Sequence, residues 1–218
     1  MNIQRVYELL TDIGISTIAT ETSLEPDVEQ GENVYKLREQ NGIWEFLHVQ
    51  YEKQDGKEEI KTTFNKESTA TRFYFFFQLS SYFFNTYTYL FERKEKELNI
   101  GEPNFTIENL KEAFHRLNIP SRYYSLDGTI KNHCFILDKV NEKESREKFV
   151  NINGVILDET MVLENWLTYS FMYQDVYKLY LLDQYYEKLI ENGEIQHELT
   201  DEDYKMYLSP ASYYIINQ

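Results

Sequence analysis

Ile3, Val6, Leu10 and Ile13 recur at helical spacing, and Gly14 follows them as the residue that most readily takes the left-handed turn ending a helix. This predicts a first helix and, after it, a strand over 15–21. Past a polar loop through Pro26 and Gly31 come three runs, 33–39, 43–52 and 58–64, separated by Asn41-Gly42 and Asp55-Gly56. Asn or Asp before Gly suits the positive-φ positions of tight hairpins, so the runs predict an antiparallel meander. Asn65 is placed to cap a long helix running to about Glu92.

Residues 73–91 carry no charge over about the length that spans a bilayer. Their content argues against a span. Gln78, Ser80, Ser81, Asn85, Thr86 and Thr88 are polar, four others are Tyr, and only Leu79 and Leu90 are aliphatic. Phe73, Phe76, Phe77, Ser80, Phe84, Tyr87 and Phe91 follow helical spacing, while Phe75, Leu79, Phe83 and Leu90 fall on the other faces. A helix apolar nearly all round is expected to be central, buried against the antiparallel sheet.

Ile100-Gly101-Glu102-Pro103 is the best candidate boundary. The chain reads as a single compact domain over 1–218 with sub-halves 1–100 and 101–218. In the second half Thr106 caps a helix bearing Ile107, Leu110, Phe114 and Leu117. Strands are expected over 122–126 and 129–140 around Asp127-Gly128, and over 149–157 broken at Asn153-Gly154, with a charged loop over 141–148. A helical pattern runs from Glu159 to about Glu191, with a break near Gln174; Asn192-Gly193 ends it, and Thr200 caps a short helix that Pro210 closes. The fold class is therefore α+β, antiparallel meanders packed on long aromatic-rich helices. The opening helices of the halves can be superposed, Ile3 on Ile107 through Gly14 on Asn118, as a duplication would give. Any amphipathic helix running into a strand looks the same, and that plainer reading is favoured.

Composition adds that the 218 residues include 19 Tyr, 14 Phe and 2 Trp, enough aromatic surface to build a core without disulfides. A lone cysteine, Cys134, excludes an internal disulfide, and the opening Met1-Asn2-Ile3-Gln4-Arg5, followed by Glu8 and Asp12, lacks the apolar run of a signal peptide. The cytoplasm is the expected location. Chemistry is harder to find. Gly14-Ile15-Ser16-Thr17-Ile18 lacks the closing Gly of a nucleophile elbow, and the four His, at 48, 115, 133 and 197, are scattered. His133 and Cys134, adjacent in an expected strand, would face opposite sides, His133 outward and Cys134 into the core. No motif for a metal, a phosphate or a cofactor is present, so no enzyme, metal or cofactor is expected.

Charge is the more informative signal. The net charge is −15, and it is segregated. Residues 21–33 hold Glu21, Glu25, Asp27, Glu29 and Glu32; residues 158–175 hold Asp158, Glu159, Glu164 and Asp175; residues 191–203 hold Glu191, Glu194, Glu198, Asp201, Glu202 and Asp203. None of the three contains Lys or Arg, and the rest of the chain is balanced. Such segments repel phosphate backbones and attract basic proteins, although each also serves as a solvated face. Tyr169, Tyr173, Tyr204 and Tyr207 lie in or beside the last two, and Tyr is favoured at interfaces. The candidate partner-binding residues are therefore Glu191, Glu194, Glu198, Asp201, Glu202, Asp203 and Tyr204, with Asp158, Glu159, Glu164, Tyr169 and Tyr173. Residues 191–204 are the first choice, with Tyr204 as an anchor.

A short helix and a meander ending in Lys61-Thr62-Thr63, the Phe-rich helix from Phe73, and the late stretch Leu167-Thr168-Tyr169-Ser170 with Asp175-Val176 and Tyr180-Leu181 together resemble immunity proteins of bacterial polymorphic toxin systems, especially those paired with NAD-cleaving toxins. The resemblance implies a cytosolic inhibitor without chemistry of its own, occluding a cognate toxin's active site. Two other classes stay open: an acidic mimic of nucleic acid that blocks a nuclease or DNA-binding protein, and an enzyme with an unrecognised carboxylate or Tyr site.

Overall fold

The computed structural model describes residues 1–28, 33–51, 57–196 and 198–210. They form two compact units, Met1–Tyr82 with the described residues from Glu202 onward, and Phe83–Asp201. The division falls within the long aromatic helix, at Tyr82 and Phe83, and not at the Gly101–Pro103 turn.

In the first unit, Asn2 caps α1 (Ile3–Asp12) by accepting from the Arg5 N–H at 2.9 Å, and Ile3, Val6, Leu9 and Leu10 form its buried face. Gly14, at φ 93°, ends it: its N–H returns to the Thr11 carbonyl and that of Ile15 to the Leu10 carbonyl, satisfying acceptors the helix leaves open. Five antiparallel strands follow in chain order: β1 (Thr17–Ala19), β2 (Ser23–Pro26), β3 (Val34–Gln40), β4 (Ile43–Gln50) and β5 (Lys57–Phe64). Asn41-Gly42, at φ 56° and 81°, makes the expected β3–β4 hairpin. The Asp55-Gly56 turn lies outside the described residues. The expected strand over 15–21 shrinks to three residues, and β2 falls within the expected loop.

Across one face of this sheet lies α2 (Glu67–Phe83). Phe73 and Phe77 each pack against Phe46 with ring centroids 4.9 Å apart, and Phe77 also meets Tyr35 at 4.8 Å. Full burial of a ring, as at Phe46 and Phe73, is worth roughly 1.5–3 kcal/mol. The start of α2 is tied to that of α1, since Glu67 accepts from the Ile3 N–H at 3.1 Å and the Thr71 hydroxyl donates to the Met1 carbonyl at 3.1 Å. Arg72, on the other side of α2, makes a two-pronged ion pair with Asp203 of α6 (Asp201–Leu208).

The uninterrupted, all-round buried helix expected over 73–91 is corrected in its second half. Regular winding stops at Phe83, a π-helical turn covers Phe84–Thr88, and α3 (Tyr89–Lys94) carries Tyr89 and Leu90 exposed, as is Tyr87 before it. Widened turns leave backbone groups in need of other partners. Here the Tyr173 hydroxyl donates to the Thr88 carbonyl at 2.8 Å. Among the described residues no helix is long and apolar enough to cross a membrane.

The second unit continues with α4 (Ile107–Arg116), whose cap Thr106 accepts from the Asn109 N–H at 3.2 Å. Its end repeats that of α1, with Asn118 at φ 53° and the Ile119 N–H on the Phe114 carbonyl. Beyond this shared helix ending the units differ. The second sheet is mixed: β6 (Tyr124–Ser125) runs parallel to β7 (Cys134–Lys139), β7 pairs antiparallel with β8 (Glu144–Val150), and β9 (Ile156–Glu159) and β10 (Leu163–Glu164) both pair with β8. The expected hairpin at Asp127-Gly128 does not form. The Asp127 carboxylate instead accepts from the Ser125 hydroxyl at 2.9 Å and the Thr129 N–H at 3.0 Å, closing a local turn within a longer connection.

Residues 141–148, expected as a charged loop, contain most of β8. Arg146 and Lys148 point outward onto Asp138 of β7, at 2.8 and 2.6 Å, while Ser145, Glu147 and Phe149 are buried. Behind the sheet runs α5 (Asn165–Glu191), unbroken at Gln174. Thr168 fastens it to β8 by donating to the Ser145 carbonyl at 3.1 Å. Cys134 is buried, as expected. His133 precedes β7 at φ 54° and is half-buried, its Nε2 2.7 Å from Asp183, because the backbone turns it onto α5 instead of outward.

Candidate functional site

The start of α5 is fixed by the β7–β8 turn. Asn141 accepts from the Lys143 and Glu144 N–H groups at 2.8 and 3.0 Å, shaping the turn, and its amide donates to the Glu144 carboxylate at 2.7 Å. Asn165, the first residue of α5, then donates from its backbone to the Lys143 carbonyl at 2.9 Å and from its side chain to the Glu142 carbonyl at 2.8 Å. Between turn and helix lies β10, too short to be read from sequence, which sets Glu164 directly opposite Glu144.

A cleft of about 890 Å³ opens here, bounded by the start of α4, the β7–β8 turn and the first turns of α5. Phe105, Trp166 and Tyr169 give it aromatic walls. The Trp166 indole N–H donates to Glu164 at 2.7 Å, holding ring and carboxylate together. Glu108, Glu144 and Glu164 line the cleft against one cation, Lys143. Burial, and then the nearby Glu108 carboxylate, raise the pKa of the Tyr169 phenol, which therefore stays protonated.

Two of these carboxylates sit at helix starts. Glu108 lies in the first turn of α4 and Glu164 at the cap of α5, where the positive helix end favours them. Glu144 has no such helix end, and it faces Glu164 across the strands. Like charges directly opposite in an antiparallel pair destabilise it, with Cα atoms only about 4.5–5.5 Å apart. Local rules of this kind are broken mainly where function requires it.

A second acidic feature lies deeper. Glu147 of β8 is 2% exposed, and neither of its carboxyl oxygens has a hydrogen-bond partner. Asp175 and Lys178 of α5, themselves 3.3 Å apart, and Asp158 of β9 act on it. Burial first, and then the Asp175 charge, push its pKa well above the usual carboxylate range, which favours the neutral acid. With no opening to solvent it cannot reach a substrate. Among the described residues, no group of three His, Cys, Asp or Glu side chains is placed to hold a metal ion.

Of the residues chosen from sequence, Glu164 and Tyr169 meet in the cleft. Asp158 and Glu159 are exposed on β9, with Glu159 3.8 Å from Arg146. Glu191 and Glu198 are exposed, Glu194 is half-buried and accepts from the Asn192 amide at 3.2 Å, and Asp201 accepts from the buried Asn151 amide at 3.0 and 2.9 Å. Glu202 is exposed. Three choices are corrected. Tyr173 is fully buried, its hydroxyl taken up by Thr88; Asp203 is buried on Arg72; and Tyr204, 7% exposed, turns into the core instead of serving as an anchor. Periodicity explains the last two, since Asp203, Tyr204, Met206 and Tyr207 make the buried face of α6. Glu29, Glu32 and His197 lie outside the described residues. Sequence reasoning missed Glu108, Glu144 and Trp166. Only the strand register, which places Glu144 against Glu164, brings out the site.

No family model matches the chain, and neither the curated proteins nor the solved structures compared with it contain a match.

Proposed function

We propose that this chain is an inhibitory binding protein that engages a basic surface of another protein through the Glu108–Glu144–Glu164 cleft, in the manner of a cytoplasmic immunity protein occluding a toxin. The observation that carries the reading is the Glu144–Glu164 pair beside an indole. Two opposed carboxylates raise the energy of the unbound protein, and a partner's cation placed between them removes that repulsion and adds attraction. The rings supply the apolar area from which anchoring energy in protein interfaces is mainly drawn. The exposed carboxylates at Glu191, Glu198 and Glu202 contribute a long-range field that speeds encounter, screened over about 8 Å at physiological salt.

The test is to co-express the chain with any toxic domain found encoded beside its gene. Cells carrying the parent protein should grow and yield a co-purifying complex, while Glu144→Lys with Glu164→Lys should abolish both. Equal growth with that variant would remove the cleft from the account, and a nuclease or DNA-binding protein as the captured target would favour nucleic-acid mimicry.

A further inference from the structure

Resting on the reading that this chain binds a protein, we propose that the cleft receives one arginine side chain of the partner, its guanidinium bridging Glu144 and Glu164 and its face against Trp166. The geometry selects the group. Two carboxylates opposed across β8 and β10 stand side by side on one face of the sheet and line the cleft. A guanidinium, planar with five N–H donors on its edges, can donate to both at once, whereas an ammonium is a compact point charge that holds its water. Its faces carry no donors and stack on aromatic rings, most favourably on an indole.

Trp166 is suited to that contact because its ring is tied to one of the two carboxylates. Its indole N–H is held by Glu164 at 2.7 Å, so one carboxylate fixes the ring and presents its remaining acceptor capacity to a ligand. Glu144 is steadied in the same way by Asn141 at 2.7 Å. A bare divalent ion is not what this site fits, since no triad of ligating side chains exists among the described residues. Beside the pair in the chain, Met161 is 77% exposed and Val162 43%, an apolar shoulder for residues flanking the arginine.

The two tryptophans allow a direct test on the full chain, because Trp44 is buried in β4 and serves as an internal reference. The probe is the peptide acetyl-Gly-Arg-Gly-amide, compared with its lysine and citrulline counterparts by the indole N–H resonances. The arginine peptide should shift Trp166 with a dissociation constant on the order of millimolar, and the lysine peptide should bind at least about fivefold more weakly. Citrulline, isosteric and uncharged, should leave Trp166 unmoved. Glu144→Gln with Glu164→Gln should weaken arginine binding by about tenfold or more, in a variant whose Phe83–Asp201 unit is shown to be folded by the amide resonances of β7, β8 and α5. Equal binding of arginine and lysine, binding of citrulline, or no shift at Trp166 would overturn the inference. Growth rescue that depends on Glu144 and Glu164 without arginine preference would refute this inference alone. Arginine preference without charge-dependent rescue would refute the inhibitor reading alone.

Discussion

Glu144 and Glu164 stand directly opposite each other across the β8–β10 pair, two carboxylates on one face of the sheet at the mouth of an aromatic cleft. Like charges set opposite each other across an antiparallel pair disfavour it, and Glu144 has no helix end to offset that. Glu144→Gln keeps an oxygen to accept from Asn141 while removing one charge. It should stabilise the protein by about 0.2–1 kcal/mol at low salt, with the gain shrinking as salt screens the pair. Denaturant unfolding at low and high salt checks this; a loss of stability at both would mean that the charge serves the fold.

Glu147 yields a pH dependence of definite sign. Its pKa is raised in the folded protein by burial and by Asp175, with Asp158 adding and Lys178 opposing. The unfolded chain releases this proton in the ordinary glutamate range while the folded protein holds it. The stabilisation is therefore complete at low pH and is lost as pH rises through the raised value, at up to about 1.4 kcal/mol per pH unit. Carboxylates lowered by basic partners, such as Asp138 beside Lys148 and Arg146, act in the opposite direction. The difference between parent and Glu147→Gln isolates the effect. The variant should gain on the parent as pH rises from the ordinary glutamate range through the raised value; a constant difference would mean that Glu147 is ionised throughout.

Arg72 and Asp203 make the opposite case, a charge pair that belongs to the fold. The Asp203 side chain is 1% exposed and that of Arg72 21%. Asp203→Ala should destabilise the protein by about 3–5 kcal/mol, because it breaks a two-pronged charge pair whose carboxylate is buried. Arg72→Met with Asp203→Leu should recover much of that loss. Neither change should alter dissociation of a partner from the cleft. Unfolding and binding measured on the same variants separate the two roles.

Where local chemistry decides an element, the sequence was legible. Thr106 caps its helix, Gly14 ends the first one, Asn41-Gly42 turns its hairpin, and the Phe73–Phe77 spacing faces Phe46. It was not legible where tertiary context decides. β8 hides because its inward positions include Ser145 and Glu147 while its outward positions are Arg146 and Lys148, so no apolar alternation marks it. β6 pairs in parallel with β7 across a connection that Asp127-Gly128 resembles a hairpin in closing. The candidate site was half legible. Glu164 and Tyr169 stood out by charge and residue type, but their relation to Glu144, about twenty residues earlier, exists only through the register of a two-residue strand.

The most direct test of the account is the dissociation rate of a complex with the basic partner proposed above, measured separately from association. Charge reversal at Glu144 and Glu164 should speed dissociation by about a hundredfold, as loss of a close interfacial charge pair does. Reversal at Glu191, Glu194 and Glu198 should slow association in a salt-dependent way and leave dissociation nearly unchanged. Unchanged dissociation in the Glu144 and Glu164 variant, from a protein that still folds, would contradict the claim that the cleft holds the partner.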